Sequence, residues 1–205
     1  MPEQRIKAGE LPLLSGGAVR ERADAARNRR KVLAAAEDLF AARGVATVTM
    51  DDVAVAAGVG KGTLYRRFGD KSGLAAALLD EREAQLQERL LSGPPPLGPG
   101  APPADRLVAF TTAYLSYVDA HVDLVAMSQN ASPGARLRTG SHQLWRQHCR
   151  YLLTEARVPD PGIRADALLA ALTAEQVRHW RLDEGYPLSS LTEAMVGIAQ
   201  RLAVA

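Results

Sequence analysis

Apolar residues recur at three- and four-residue steps from Ala23 onward: Val32, Leu33, Ala36, Leu39 and Phe40 lie on one side of a helix that Gly44 ends. Thr49 then precedes Met50-Asp51-Asp52-Val53. A threonine cap with acids in the first turn predicts a second helix, and Asp52 holds the reciprocal capping-box place with a shorter acid than usual. Gly58 breaks that helix, a third short one runs from about Gly60 to Phe68, and Gly69-Asp70 stops it. Leu74, Ala77, Leu78, Ala84 and Leu90 predict a fourth from Lys71 to about Leu91. It runs into SGPPPLGPGAPPADR, where residues 94–103 hold six of the twelve prolines. Neither helix nor central strand persists there, so the stretch reads as a surface loop between two halves. Further helical stretches follow: Asp105 to about Gln129, Ser141 to Arg157, Gly162 to Glu184 and Leu188 to Val204. Runs of β-branched residues are scarce, so the expected fold class is all-α. The expected divisions are a flexible tail over 1–22, a small helical domain over 23–70 and a larger helical domain over 71–205.

Composition narrows the picture. At 47% hydrophobic residues over 205 positions, the chain has the material for a sizeable core. No apolar run approaches a membrane span. The opening MPEQRIKAGELPLLSGG lacks an apolar segment with a small-residue cleavage site, and the single cysteine, Cys149, allows no intramolecular disulfide and no cysteine-rich zinc site. These features lead to the expectation of a cytoplasmic protein without a membrane partner. The net charge of +2 is unevenly spread: residues 1–75 carry 13 Lys+Arg against 9 Asp+Glu, and residues 76–205 carry 12 against 14. A basic N-terminal third suits phosphate neutralisation, although charge runs are commonly solvated faces.

The stretch GVGKGTLYRRFGDKSGL, residues 58–74, admits two readings. A phosphate-binding loop needs G-x-x-x-x-G-K-[ST] after a buried strand. Here Gly62 follows Gly60-Lys61, Val55 stands at the first glycine position, and a helix precedes the motif. That reading fails on all three. A helix–turn–helix needs two short helices joined by a tight turn, as Thr49–Ala57, Gly58-Val59 and Gly60–Phe68 provide. At about 100° per residue, Leu64 and Phe68 of the third helix share one side, while Gly62, Thr63, Arg66 and Arg67 fall on the other. Paired arginines on an exposed face reach base edges or phosphates, and Gly62 lets a helix approach a backbone closely. Tyr65 flanks that face, and Lys71 opens the next helix, where an anion is favoured.

With these residues in place, the segment from Arg29 to Leu74 resembles the DNA-binding domain of the TetR (tetracycline repressor) family of one-component regulators. The likeness rests on Ala-x-x-Leu-Phe in the first helix, the Gly44 stop, Thr49, Ala-Gly-Val at 57–59, Gly-Thr-Leu-Tyr at 62–65, Phe68 and Lys71. The resemblance implies that Thr49, Lys61, Gly62, Thr63, Tyr65, Arg66, Arg67 and Lys71 lie at or near DNA. Two positions depart from the family pattern: Gly60, where serine often caps the recognition helix, and Arg67, where histidine is frequent. The basic run RERADAARNRRK (20–31) reads as a solvated helix extension or as an arm that touches phosphates.

The C-terminal half resembles only the family's general plan, which implies an effector-binding domain and a homodimer formed through the last two helices. Leu191, Met195, Ile198 and Leu202 form one apolar stripe, and Leu172 and Trp180 add apolar positions on the preceding helix. These six are candidates for the dimer interface; the plainer alternative is that both helices cap the monomer core. Phe110, Tyr114, Tyr117, Met127, Trp145, His148 and Gln176 are candidates for a ligand cavity, or, for the rings, ordinary core. The histidines lack metal-ligand spacing, and neither a nucleophile elbow nor a His-Glu-x-x-His motif occurs. No metal, cofactor or catalysis is expected. The expected function is a dimeric regulator on a pseudo-palindromic double-stranded operator, released by a small, mostly apolar or aromatic effector. A regulator without a ligand is the alternative, and an enzyme with a helical active site has no motif behind it.

Overall fold

The computed structural model describes residues 16–129 and 134–204, and within them the chain is all-helical. The elements are α1 (Gly16–Arg43), α2 (Met50–Ala57), α3 (Lys61–Phe68), α4 (Lys71–Ser92), α5 (Pro103–Ala120), α6 (Val122–Gln129), α7 (Ala135–Arg138), α8 (Gly140–Glu155), α9 (Pro161–Ala171), α10 (Ala174–Arg178), a π-helical turn (His179–Asp183) and α11 (Leu188–Leu202). Of the expected tail, residues 1–15 lie outside the described residues, whereas 16–22 already belong to α1.

The boundaries of the first four helices follow from local chemistry. The Thr49 backbone N–H donates to Asp52 Oδ2 at 2.9 Å and the Asp52 N–H donates to Thr49 Oγ1 at 3.1 Å, a complete capping box. Gly58 closes α2 at φ +64°, a left-handed conformation that costs glycine little. Asp70 caps α4 by accepting from the Gly73 N–H at 2.9 Å. A Cβ at Gly73 would stand 1.9 Å from the Phe68 carbonyl oxygen, so only glycine lets α3 and α4 join this tightly.

Two expected helices are interrupted. The Asp105–Gln129 stretch breaks at His121, whose φ of −131° leaves the helical region, and α5 and α6 then diverge. Helix α5 packs on α8 and α11, while α6 packs on α4. The Gly162–Glu184 stretch breaks after Ala171, and Thr173 restarts the chain by accepting the Gln176 N–H at 3.3 Å.

Two hydrophobic cores result. The N-terminal one joins Val32, Ala36 and Phe40 of α1, Val53 of α2, Leu64 and Phe68 of α3, and Leu74 and Leu78 of α4. The C-terminal one gathers Leu79, Leu86 and Leu90 of the same α4 with Phe110, Tyr114 and Leu115 of α5, Trp145 and Leu152 of α8, Leu168 of α9 and Met195 of α11. Truncating a large buried aromatic costs both transfer free energy and a cavity. Trp145 is 1% exposed, so Trp145→Ala is expected to lower stability by about 3–5 kcal/mol, read from the shift of the urea unfolding curve at unchanged slope.

Candidate nucleic-acid interface and adjoining cavity

Helix α3 turns Leu64 and Phe68 into the N-terminal core and leaves Lys61, Gly62, Thr63, Tyr65, Arg66 and Arg67 exposed on its remaining surface. Three polar contacts among α1, α3 and α4 hold this unit together. Arg29 Nη2 pairs with Asp80 Oδ2 at 3.0 Å, and its guanidinium lies 5.9 Å from the centroid of the Phe68 ring. Arg82 Nη2 on α4 pairs with Glu37 Oε1 on α1 at 2.7 Å. Arg67 Nη1 donates to the Ala25 carbonyl at 2.8 Å, tying α3 to the length of α1 that precedes the core.

The basic side chains on this surface are therefore held to different degrees. Lys61 Nζ meets Asp51 Oδ2 at 2.5 Å, and that bond raises its pKa above the ordinary lysine value. Lys71 Nζ donates to the Ala46 carbonyl at 3.0 Å, and desolvation lowers its pKa. Arg66 has neither hydrogen bond nor ion pair among the described residues, which leaves its guanidinium available to an external acceptor. Thr49 caps α2 and stands exposed at its start. Of the eight residues expected at this interface, seven are exposed and Lys71 is half-buried, with Arg67 and Lys71 partly occupied by backbone carbonyls. Asp51, the partner of Lys61, was not among them; its place in the first turn of α2 marks it only as a dipole-favoured acid.

The C-terminal domain contains a recess of about 420 Å³ between α4, α5, α6 and the α7–α8 region. Of the expected cavity residues, Tyr114, Tyr117 and Trp145 line it. Phe110 and His148 stand behind that wall: Phe110 stacks on Tyr114 with centroids 5.4 Å apart, and the His148 ring is 5.6 Å from Phe110. Burial, with the neighbouring Arg106, lowers the His148 pKa to about 4, so the ring is neutral near pH 7. Met127 is not on the lining and packs against the N-terminal core instead, because α6 lies along α4. Gln176 is not on the lining either; it sits in the first turn of α10.

The recess is more polar than the aromatic residues alone imply. Helix α4 contributes Asp80, Glu83 and Gln87, and the opposite side contributes Ser128, Arg136 and His142. The Tyr117 hydroxyl donates to Glu83 Oε1 at 3.1 Å. Burial raises the Glu83 pKa, and the bonds from Tyr117 and Ser141 work against that shift. The signal that could have found these groups is their spacing: 80, 83 and 87 recur at helical steps on one face of α4.

The expected dimer stripe needs correction. Leu172, Leu191 and Met195 are buried in their own chain, and Trp180 and Leu202 pack partly buried on the same core. The cause is that α11 lies along α5, so its apolar side is already covered. Only Ile198 of the six is exposed, at 40%. The large apolar side chains left in solvent on α8, α9 and α11 are Tyr151, Ile163 and Ile198, and Val204 is exposed just past α11. Among the described residues no group of three or more His, Cys, Asp or Glu is placed to hold a metal.

A helix–turn–helix with an exposed basic recognition helix, carried on a helical domain with a recess, defines the class. Residues 32–78 match the family described as bacterial regulatory proteins, tetR family. The regulator TtgR of Pseudomonas putida is 43% identical over 61 residues, 30% of this chain and 29% of its own length. The repressor BepR of Brucella suis biovar 1 is 37% identical over 83 residues, 38% of this chain and 40% of its own length. The chain thus covers well under two thirds of these curated relatives, and the likeness to them is confined to a minority of each sequence. A transcriptional regulator from Rhodococcus sp. Rha1 superposes with a TM-score of 0.63 at 23% identity, covering 85% of this chain and 95% of that one. The likeness to that family is carried by residues 32–78, and the described residues share the all-helical fold of the Rhodococcus structure.

Gly62 is the weakest helix former on the exposed face of α3, and a Cβ there would meet nothing within 4 Å. Gly62→Ala is accordingly expected to raise stability by about 0.5–1 kcal/mol, measured as a higher urea midpoint.

Proposed function

We propose that the protein is a homodimeric transcriptional regulator, a repressor whose paired α3 helices read a pseudo-palindromic double-stranded operator and leave it when a small molecule fills the C-terminal recess. The observation that carries this reading is the split of α3: Leu64 and Phe68 are buried, and every other side of the helix is polar, basic and exposed. The names of the matched relatives, a transcriptional regulator and a transcriptional repressor, support it. Phosphates position such a protein and base edges select its site. The reach of Arg66, which has no partner among the described residues, suits the second task, while Lys71 and Tyr65 at the margin suit the first.

Helix α4 connects the two events. A ligand against its C-terminal-domain face biases the position of a helix whose first turns belong to the DNA-binding core, which shifts the population between DNA-competent and incompetent dimers. The working compartment is the cytoplasm, where DNA is accessible, and no helix among the described residues is long and apolar enough to cross a membrane. The dimer forms through the outer surfaces of α8, α9 and α11, where Tyr151, Ile163 and Ile198 are exposed, with Val204 just past α11. The effector has an apolar or aromatic body, matched to Tyr114, Tyr117 and Trp145.

Selection of bound fragments from total genomic DNA tests the first half. A folded protein that retains no fragment at low salt overturns it. Once a site is in hand, Arg66→Ala is expected to flatten preference at one base position per half-site by about 1–3 kcal/mol, whereas a uniform loss on all sequences shows that Arg66 only holds phosphate. Lys71→Ala is expected to weaken all sequences alike and to lower the slope of log K against log salt by about one unit.

A further inference from the structure

We propose that the recess accepts an organic cation, a protonated or quaternary amine on an apolar body, whose charge pairs with Glu83 and competes with Arg29 for Asp80. This rests on the reading that the recess is an effector site.

Glu83 is the starting point. Its carboxylate is half-buried on the lining, accepts from the Tyr117 hydroxyl at 3.1 Å and is bonded by Ser141, yet no cation among the described residues pairs with it. The neighbouring Arg82 pairs with Glu37 at 2.7 Å, and the charge that acts on Glu83 is the like charge of Asp80. Hydrogen bonds are thus supplied and a counter-charge is not. Across from α4 the rings of Tyr114, Tyr117 and Trp145 meet at centroid distances of 5.8–6.0 Å. Aromatic faces attract a cation through their quadrupole and shield its apolar substituents from water. Arg136, the guanidinium on the lining, lies 3.4 Å from His142 and acts on Asp166. It suits an acceptor atom on the ligand and keeps the positive charge at the α4 side.

Asp80 gives the binding event a consequence. It lines the same recess while its carboxylate holds Arg29, the residue that also packs on the Phe68 ring of α3 and reaches the Ala77 carbonyl at 3.5 Å. One carboxylate therefore serves both the recess and the junction between α1, α3 and α4. A positive ligand drawing on Asp80 weakens the Arg29 contact, and a neutral ligand of the same shape leaves it in place.

Three probes with one apolar body decide the matter by calorimetry on the purified full chain: trimethyl(4-phenylbutyl)ammonium, 4-phenylbutanol and 4-phenylbutanoate. The ammonium is expected to bind more tightly than the other two. Glu83→Gln should weaken the ammonium tenfold or more and leave the alcohol within twofold. Asp80→Asn, at an exposed site that folding tolerates, should also weaken the ammonium alone. Arg29→Gln, by freeing Asp80, should tighten the ammonium by about 1.4- to 5-fold, the span of an exposed ion pair. Equal or tighter binding of the alcohol or the carboxylate overturns the charge assignment, as does an unchanged ammonium affinity in both Glu83→Gln and Asp80→Asn. An unchanged affinity in Arg29→Gln overturns the competition for Asp80. Failure of all three probes to bind overturns the proposal together with the effector reading of the recess. Tight ammonium binding that leaves retained DNA fragments undisturbed supports the cation site and overturns only the link to operator release.

Discussion

Helix α4 is a single rigid rod shared by two hydrophobic cores, and the rest of the structure is arranged around that sharing. Leu74 and Leu78 are buried with α1, α2 and α3, and Leu79, Leu86 and Leu90 are buried with α5 and its neighbours. The crossover between the cores falls between adjacent residues, Leu78 and Leu79, which point to different sides because successive helical positions are rotated by about 100°. Neither core can shift α4 along its axis without disturbing the other, since both are close-packed. A displacement imposed on the helix from the C-terminal side is therefore transmitted to the α3–α4 junction. There Gly73 admits the Phe68 carbonyl so closely that no slack remains.

Polar contacts refine this arrangement without supplying most of its stability. Arg29–Asp80 and Arg82–Glu37 are exposed pairs, each worth at most about 1 kcal/mol. Their value is geometric: both run from α4 to α1 and tie the two helices together at two points. Within the C-terminal domain, Arg181–Asp119 at 2.7 Å, with Arg178–Asp123, fastens the π-helical turn and α10 to the α5–α6 bend. That bend faces a second, smaller recess bounded by Phe40 and Leu78 of the N-terminal core. The two domains consequently meet along α4 and α6, and not at the base-facing surface of α3.

Different parts of the molecule were legible in the sequence for different physical reasons. The helix–turn–helix was readable because its signals are local: the Thr49–Asp52 reciprocity, the Gly58 turn and the Asp70 cap each lie within a few residues of what they control. The last helix was readable as a helix but its partner was not. A stripe of Leu191, Met195 and Leu202 states that one side is buried, and nothing in its period distinguishes α5 of the same chain from a second copy. The interruptions at His121 and Leu172–Thr173 leave no mark in the pattern because both flanking stretches keep helical periodicity, and the break records a change of packing partner. In the recess the rings announced themselves and the acids did not. Tyr114, Tyr117 and Trp145 are conspicuous in a sequence with 5% aromatics, whereas Asp80, Glu83 and Gln87 look like the solvated face that most helices carry.

That last distinction bears on how α4 can act as a connector at all. Had the whole of its outer face been solvated, the helix would carry mechanical information only through its leucines, whose packing tolerates little change. Instead, the polar side from Asp80 to Gln87 is turned partly into a recess, and Asp80 within it already holds the first helix of the DNA-binding domain. Burial makes charge on Glu83 costly, so the electrostatic state of this side depends on what occupies the recess. The leucines fix where α4 lies, and the acids make its attachment to α1 responsive to an occupant. A helix built of leucines alone would give the two domains a common position without giving either a reason to move.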